Sequence, residues 1–344
     1  MTKKIKILYY GSCWPTNIGN AFVNLGTVNA IKRALGETAD IYHFGGLSSF
    51  LFRKHNYPEN NLNIADFTDF EYVIIGGMTQ CTANFEAAEY ILKKFVKNGT
   101  KIIISGGGAE KYDDDEVEAV RSWMKKLPIY AFASRDTYSY EKYADLAGYS
   151  FDGIDSAFFI SDDFKPLPLN LEFNVVNFDI LDEPTLINVC GKDNITEIRN
   201  RKIGDVLSNA RTKLKKVLKG KVTAYPTTLD MEGRKVFRTH HAPWPTETPE
   251  KQFVRKNTTI SDLPSDYLML YAQAKTVYSD RIHACIATLA FGNKAMLFGE
   301  NVPRLRMFER VGVGDIIKKP VKMDMKHLEI LKEKQVQFFR DVIT

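Results

Sequence analysis

Three apolar segments in the first half of this 344-residue chain run directly into glycine, and a segment with helical periodicity follows each. The segments span residues 5–10, 72–75 and 101–105. Strands of this kind, alternating with helices, are typical of a parallel sheet with helices on both faces. The first half is therefore predicted to be a Rossmann-like α/β domain. We expect its helices over 21–35, 85–96, 116–126 and 138–147, and further strands over 40–44 and 129–134.

The second half repeats this alternation after a proline-rich stretch at 164–170. We divide the chain into an N-terminal Rossmann-like domain over 1–163, a C-terminal one over 164–325, and a terminal helix over 326–344 that packs back toward the first domain. Two such α/β domains facing a cleft are the predicted architecture. The expected elements of the second domain are strands over 185–190 and 221–225 and helices over 203–218 and 266–274.

The charge balance of the chain argues against some partners. Lysine and arginine exceed aspartate and glutamate, 47 to 42, but the basic residues are scattered, so we expect no nucleic-acid partner. A net charge of +5 fits a protein that handles small anions or lies near an anionic membrane surface. The four cysteines form no CxxC pair, and no apolar stretch is long enough to span a bilayer. We expect a reduced, cytoplasmic protein without a structural zinc or a signal peptide.

Residues 276–299 give the strongest indication of a functional site. They are predicted to form a strand, a polar turn with Arg281 and His283, a helix and a second strand. With Ser279 or Asp280 as the expected N-cap, Arg281 and His283 fall in the first turn of that helix. The helix assignment rests on an apolar stripe with the spacing i, i+3, i+4 and i+7, made by Ile282, Cys285, Ile286 and Leu289.

A guanidinium, an imidazole and backbone N–H groups thus converge at the carboxyl end of a predicted strand. Open α/β sheets bind ligands at that edge, and helix N-termini attract anions. Two interpretations stay open at this point: an anion site, or two solvated residues in a first helical turn.

Further candidates lie where other predicted strands end. The first strand leads into a turn with Asn17, Gly19 and Asn20, where the backbone and the amides can approach a ligand or cap a helix. Arg135 and Ser139 lie in a turn that opens another helix. A structural interpretation competes with ligand binding at each position: a helix cap, a tight strand exit or an ion pair. The glycines at later strand exits are Gly76 and Gly77, and Gly107 and Gly108 in the run that starts at Gly106.

A His240–His241 pair stands in a loop with Trp244. Paired histidines suggest a metal, but no carboxylate or cysteine follows at ligand spacing, so we expect none. An acceptor-facing loop in which Trp244 stacks on a sugar is an alternative. Asp155 is expected to cap a helix, orient an arginine or shape a hinge, and has little support as a catalytic carboxylate.

The order of these motifs resembles that of the polysaccharide pyruvyl transferase family. Along the chain come Asn-Ile-Gly-Asn, Gly-Gly, Ser-Gly-Gly-Gly, Ser-Arg-Asp-x-x-Ser, Gly-Ile-Asp-Ser-Ala-Phe and Arg-Ile-His-Ala. Each motif is short, and the weight lies in their order from Ile5 to Gly312. The resemblance implies a two-domain fold similar to GT-B glycosyltransferases. It also implies transfer of the enolpyruvyl group of phosphoenolpyruvate onto two hydroxyls of a sugar in a cell-surface glycan or its precursor, which forms a pyruvate ketal.

The resemblance also assigns a donor site. Arg281 and His283 match the family's Arg-x-His signature, in which the histidine is the proposed general acid. Arg135 matches a second anion contact, and Arg304 stands where many members have a lysine. Asn20 stands where many members have an acidic residue.

The acceptor side is less well defined, because Gly77-Met78 replaces a longer glycine run of the family. The expected partners are phosphoenolpyruvate and a glycan or lipid-linked sugar, without a cofactor or a metal. Peripheral association with the inner face of a membrane and oligomer formation both stay open. Besides Arg135 and Arg304, the predicted substrate-binding residues are Asn17, Gly19, Asn20, Gly76, Gly77, Gly107, Gly108 and Ser139.

The reaction itself requires these residue types, independently of the resemblance. Phosphoenolpyruvate carries a carboxylate and a phosphate, which guanidinium forks hold well. Histidine suits protonation of the enol carbon, because its ordinary titration range lies near neutrality. Two alternatives stay open. One is a GT-B-like glycosyltransferase with Arg281 and His283 on the diphosphate of a nucleotide sugar, and the other is a non-catalytic glycan-binding protein.

Overall fold

The computed structural model describes residues 3–11, 17–44, 62–77, 85–109, 112–180, 230–231, 234–241, 256–299 and 302–344. These residues form two mostly parallel sheets with helices packed on them, so the predicted fold of two Rossmann-like α/β halves is confirmed. The elements predicted over 185–190, 203–218 and 221–225 lie outside the described residues, and so does Trp244.

The first half holds a six-stranded sheet. Its strands are β1 (Ile5–Tyr10), β2 (Ala39–His43), β3 (Tyr72–Gly76), β4 (Lys101–Gly107), β5 (Ile129–Ser134) and β6 (Ala147–Phe151). Its helices are α1 (Gly19–Leu35), α2 (Phe85–Lys97), α3 (Asp114–Met124) and α4 (Thr137–Tyr143). The strands are all parallel, in the order β2-β1-β3-β4-β5-β6.

Burial explains which strands of this sheet the sequence predicts. Every residue of β3 is buried, and β4 is buried from Ile102 onward, so both consist of continuous apolar runs. The prediction of a single helix over 138–147 is wrong, because α4 ends at Tyr143 and Ala147 already belongs to the edge strand β6. β6 lacks such a run, since it includes a glycine and a serine and none of its residues is buried.

The second half begins its sheet earlier than predicted, at β7 (Phe173–Asn177), where asparagines interrupt the apolar pattern. The further strands are β8 (Asp230–Met231), β9 (Arg234–Thr239), β10 (Thr258–Thr259), β11 (Thr276–Ser279), β12 (Lys294–Leu297) and β13 (Val321–Lys322). The helices are α5 (Pro264–Tyr271), α6 (Ile282–Ala290), α7 (Val302–Arg310) and α8 (Met325–Val342). The order is β10-β9-β7-β11-β12-β13, and the antiparallel pairs are β8 with β9 and β13 with β12.

The terminal helix α8 packs against the first half. Gln335 Oε1 accepts a hydrogen bond from the Ile154 N–H at 2.8 Å. The ring of Phe338 stacks on that of Phe151 with centroids 5.3 Å apart. The division placed between residues 163 and 164 falls in the interval between β6 and β7, where one sheet ends and the other begins.

Cys285 is a buried free thiol on α6, and burial raises its pKa. The thiol is therefore protonated and packs as a small apolar side chain. Within the part of the chain that the structure describes, we find no helix with the length and apolar character needed to cross a bilayer.

Candidate functional site

The turn that carries Arg281 and His283 lies at the carboxyl edge of the second sheet, between β11 and α6. The expected N-cap is wrong: Arg281 itself is the N-cap residue, and no side chain caps the helix. Ser279 Oγ accepts a hydrogen bond from the Arg281 N–H at 2.8 Å instead, and Asp280 bonds to a different loop. The two predicted caps are thus engaged elsewhere.

His283 is enclosed by residues of the first half. Gly19 lies against it, because a Cβ on residue 19 would be 2.8 Å from His283 Nδ1 and 2.9 Å from His283 Cβ. Only glycine permits this close approach of α1 without displacing the ring. The other ring nitrogen, Nε2, lies 3.7 Å from Asp155 Oδ2. Nε2 is buried and has no hydrogen-bond partner among the described residues.

Arg281 also bridges the two halves. Its Nη2 donates to Asn17 Oδ1 at 3.2 Å, and its Nε lies 3.5 Å from Asp179 Oδ2. Asn17 Oδ1 accepts the Gly19 N–H as well, at 3.2 Å, so one amide joins the start of α1 to the guanidinium. The Arg281 side chain is 21% exposed, which leaves it accessible to a ligand.

Asp179 fixes the position of Arg281 relative to the end of β9. Its carboxylate accepts a hydrogen bond from the His241 N–H at 3.0 Å and lies 2.9 Å from His240 Nδ1. Asp280 in turn accepts a hydrogen bond from the Asp179 N–H at 3.1 Å. The His240–His241 pair is therefore part of a hydrogen-bonded frame behind Arg281.

His241 is fully buried, and its Nε2 lies 2.7 Å from Tyr271 Oη. Burial, together with the charges of Arg281 and His283, lowers the pKa of His241 well below its ordinary value. Its imidazole is therefore neutral near pH 7. Among the residues that the structure describes, no three histidine, cysteine, aspartate or glutamate side chains are grouped so that they could hold a metal ion.

Arg135 is buried in the first half, with 2% of its side chain exposed. Its Nη2 donates to the Ala109 carbonyl at 2.6 Å, and its Nε lies 3.8 Å from Asp136 Oδ2. Tyr112 Oη lies 2.9 Å from the same carboxylate oxygen and 2.8 Å from Ser139 Oγ. Ser139 therefore lies in one buried polar network with Arg135.

The charge of Arg135 is maintained within this network. Burial opposes it, but Tyr112, Asp155 and Asp136 outweigh burial and raise the pKa of Arg135. Tyr112 adopts a left-handed backbone with φ of 62°, which non-glycine residues use sparingly and often near functional sites.

At three of the four glycines predicted where strands end, protein atoms fill the direction that a side chain would take. Close packing therefore accounts for three of these glycines, and Gly77 has a left-handed φ of 59°. Ligand contact at all four stays a prediction. A Cβ would lie 2.4 Å from Tyr9 Oη at Gly76, 2.4 Å from Phe132 Cε2 at Gly107, and 2.3 Å from Arg135 Nε at Gly108.

The remaining predicted residues lie on α1 and α7. Asn20 donates its N–H to the Asn17 carbonyl at 2.9 Å in the first turn of α1. Arg304 lies on α7 two residues before Arg306, whose guanidinium carbon is 3.9 Å from the centre of the Tyr138 ring on α4. This cation–π contact links α7 to the first half of the chain. Substrate contact at Asn20 and Arg304 stays a prediction.

Sequence reasoning missed Arg306 and Asp179, and for Asp155 it gave the helix cap, which the structure confirms, but not the contact with His283. The contact of Asp155 with His283 joins distant parts of the chain, and so does that of Arg306 with Tyr138. Asp179 had a usable signal, because it lies just beyond the carboxyl end of a strand of the second sheet. That signal was lost because β7 was not predicted.

Comparisons with known proteins give a family and several distant structural likenesses. The family model described as polysaccharide pyruvyl transferase matches residues 17–300. No curated protein matches the chain.

Among solved structures, UDP-GlcNAc 2-epimerases from Neisseria meningitidis and Methanocaldococcus jannaschii share 11% and 10% identity, with TM-scores of 0.45 and 0.46. The matches cover 98% and 99% of this chain, and 94% and 98% of those chains. The E. coli heptosyltransferase WaaC shares 11% identity with a TM-score of 0.37, over 86% of this chain and 91% of its own. Likenesses at this level say nothing about activity.

Proposed function

We propose a function from one premise: the chain belongs to the polysaccharide pyruvyl transferase family and is a transferase of polysaccharide biosynthesis. In our proposal it moves the enolpyruvyl group of phosphoenolpyruvate onto two hydroxyls of one sugar. The product is a pyruvate ketal on a cell-surface glycan or its precursor. His283 is the general acid, and Arg281 binds the donor.

One observation supports this proposal above others. Arg281 and His283 of the second half meet Asn17 and Gly19 of the first, and solvent still reaches both side chains. A cation and an imidazole thus lie side by side between two α/β halves, at the sheet edge where such folds bind ligands.

The donor explains the need for a guanidinium. Phosphoenolpyruvate carries a carboxylate and a phosphate, and the planar fork of Arg281 can bind either group through paired hydrogen bonds. Arg304 supplies a second cation in this proposal. The buried Arg135 supports the site from within the first half.

The reaction needs one acid and two hydroxyl nucleophiles. His283 gives a proton to the terminal carbon of phosphoenolpyruvate, which becomes a methyl group and leaves the central carbon electron-poor. The first sugar hydroxyl adds to that carbon and loses its proton, and phosphate then departs with the electron pair of its C–O bond. The second hydroxyl adds in its place and closes the ketal. Of the two hydroxyl protons, one restores His283 and the other leaves with phosphate.

The acceptor in this proposal is a glycan or a lipid-linked sugar, and the reaction takes place in the cytoplasm. The net charge of +5 suits an acceptor that carries anionic groups or is held at an anionic membrane surface. The chemistry requires neither a cofactor nor a metal.

The test is incubation with phosphoenolpyruvate and a panel of glycosides. We expect phosphate release and a product whose mass exceeds that of the glycoside by phosphoenolpyruvate minus phosphoric acid. His283→Ala should slow both at least about 100-fold, the range of general acid catalysis, while circular dichroism shows an intact fold.

Nucleotide sugars are the matched control in this assay. Thermal protection by UDP or GDP, with glycosyl transfer from their sugars and no reaction of phosphoenolpyruvate, contradicts the proposal. Full activity of His283→Ala contradicts its mechanism.

A further inference from the structure

The carboxylate nearest to the His283 ring among the described residues comes from the first half of the chain. Asp155 Oδ2 lies 3.7 Å from Nε2, and the Asp155 side chain is 3% exposed. This separation is within ion-pair range but longer than a hydrogen bond. Catalytic contacts of this kind are often long without substrate and tighten once it binds.

Asp155 is held in place by its own surroundings. Its Oδ1 accepts a hydrogen bond from the Ala157 N–H at 2.9 Å, which caps the short 3-10 helix Ser156–Asp162. The preceding N–H, of Ile154, donates to Gln335 on α8. The following side chain, Ser156, lies 3.0 Å from Ser105 Oγ. A carboxylate fixed on both sides can orient a neighbouring ring.

Asp155 is negatively charged although its side chain is buried. Burial alone raises the pKa of this carboxyl, but His283, Arg135 and the Ala157 N–H outweigh burial, so its net pKa is lowered. Asp155 is therefore ionised near pH 7 and lies between two basic side chains.

The other titratable groups near the ring come from its own turn and from the end of β9. Arg281 lies two residues before His283, and both Arg281 and His240 lie against the Asp179 carboxylate, whereas His241 is neutral. Asp155 is the carboxylate that faces the ring from the opposite half. The ring itself is packed between this carboxylate and Gly19.

We infer that Asp155 is the positioning residue of the general acid, holding the His283 ring in place and favouring its protonated form. The inference rests on the proposed function, in which His283 delivers a proton to the donor. Asp155 touches neither donor nor acceptor in this role. Arg135 acts one step further back, by keeping Asp155 ionised.

A consequence is that His283 has its Asp155 counter-charge only when the two halves of the chain are packed together. His283 follows a strand of the second sheet, whereas Asp155 and Gly19 belong to the first half. Any separation of the halves takes the Asp155 counter-charge away from the ring, so a smaller fraction of the ring carries the proton that it has to deliver.

Asp155→Asn is the informative variant, because asparagine retains a cap oxygen for the Ala157 N–H and loses only the negative charge. We expect kcat to fall at least about tenfold at pH 8. The alkaline limb of the kcat–pH profile should move about one pH unit lower, as expected for loss of a carboxylate in ion-pair range. The KM for phosphoenolpyruvate should change less than about threefold, because Asp155 does not bind the donor.

Asp113→Asn is the matched control. Asp113 caps α3 through the Glu116 N–H at 2.8 Å, so it undergoes the same substitution at a helix cap away from His283. Its kcat, its pH profile and its melting temperature should equal those of the wild type. Asp155→Asn should melt within a few degrees of this control, whereas Asp155→Ala loses both the cap and the charge and should melt lower.

A second measurement does not depend on the activity. In [15N]histidine-labelled protein, the ring signal of His283 is assigned by its loss in His283→Ala. The ring should lose its proton at a lower pH in Asp155→Asn than in the wild type.

Unchanged titration of this ring in Asp155→Asn overturns the inference, whatever the assay shows. An unmoved alkaline limb in an active Asp155→Asn overturns it as well. Absence of pyruvyl transfer in the wild type, together with a moved titration, overturns only the proposed function.

Discussion

Arg281 and Arg135 carry the same charge in opposite environments. Arg281 is 21% exposed and bonds to an amide of the other half, so a ligand can reach it. Arg135 is 2% exposed and bonds to the Ala109 carbonyl inside a network that includes Asp136. Removing Arg135 leaves buried carboxylates without a counter-charge, which costs more than losing an exposed one.

We expect substitution of Arg281 to weaken ligand binding and substitution of Arg135 to lower the stability of the fold. Arg281→Ala should weaken phosphoenolpyruvate binding by about 1.5–3 kcal/mol, the value of a charge-assisted hydrogen bond, with little change in unfolding. Arg135→Ala should lower the free energy of unfolding by about 3–5 kcal/mol, as for a broken buried ion pair. Calorimetric titration with phosphoenolpyruvate and urea unfolding measure the two effects.

The control for this pair is Arg234→Ala. Arg234 pairs with the exposed Glu172 at 3.0 Å on the surface of the second half, so unfolding should change by less than about 1 kcal/mol. If Arg135→Ala is as stable as this control and loses phosphoenolpyruvate binding, Arg135 is the direct donor contact that the sequence suggested.

The helix α1 shows how an element serves both the core and the site. Its first residue, Gly19, lies against His283, and its middle residue, Gly26, lies against the backbone of Ser156. A Cβ on Gly26 would be 1.9 Å from the Ser156 carbonyl oxygen, which cannot move as a side chain can. The sequence predicted this helix from residue 21, two residues late, because glycine and asparagine do not look like the start of a helix.

Substitution of the two glycines by alanine should therefore act differently. Gly26→Ala should destabilise the fold by about 1–3 kcal/mol through overpacking, although the same change on an exposed helix face stabilises by about 1 kcal/mol. Gly19→Ala should leave the melting temperature within a few degrees but lower kcat by displacing the His283 ring. Thermal melting and initial rates test both. If Gly26→Ala is as stable as the wild type, or Gly19→Ala is fully active, α1 lies further from Ser156 or from His283 than these distances indicate.

The start of α6 shows why local rules failed for one element. Ser279 and Asp280 are good capping residues, and the sequence places them correctly just before the helix. Tertiary hydrogen bonds to Asn177 and to the Asp179–Ile180 backbone engage them instead. A cap contributes about 1 kcal/mol, which such bonds outweigh, and the exchange fixes the orientation of the Arg281 turn.

For the whole molecule, His241 makes stability depend on pH. It is neutral in the folded protein because burial lowers its pKa well below the ordinary value of 6.5, while the unfolded chain titrates normally. The unfolded state therefore binds a proton as the pH falls below that value and the folded state does not. The contribution of His241 to the free energy of unfolding is therefore fully present above pH 6.5 and decreases as the pH falls below that value.

We expect this histidine to contribute a slope of up to about 1.4 kcal/mol per pH unit between pH 6.5 and about 5. His241→Asn should flatten the slope, measured by urea unfolding at several pH values. His327→Asn is the control, because His327 is exposed on α8. The lowered pKa of His43 contributes equally in all three proteins and cancels in the difference. Equal slopes in wild type and His241→Asn contradict this account.

The sequence alone determined the α/β class, the alternation of strands and helices in the first half, and the location of Arg281 and His283 at a sheet edge. These features follow from local periodicity, glycine exits and the position of a first helical turn, all of which extend over a few residues. The sequence did not predict β6, none of whose residues is buried, or β7, which is buried throughout but whose apolar run is interrupted by asparagines.

Only the tertiary structure decided which charges meet. It pairs Asp155 with His283 and Asp179 with Arg281, and it buries Arg135 inside its own half. Asp155 reaches His283 through the packing of the two sheets, whereas Asp179 and Arg281 follow the neighbouring strands β7 and β11 of one sheet. These partners are distant in the chain, and no local pattern encodes their contacts. The sequence thus located a guanidinium and an imidazole, and the tertiary structure supplied the carboxylates beside them.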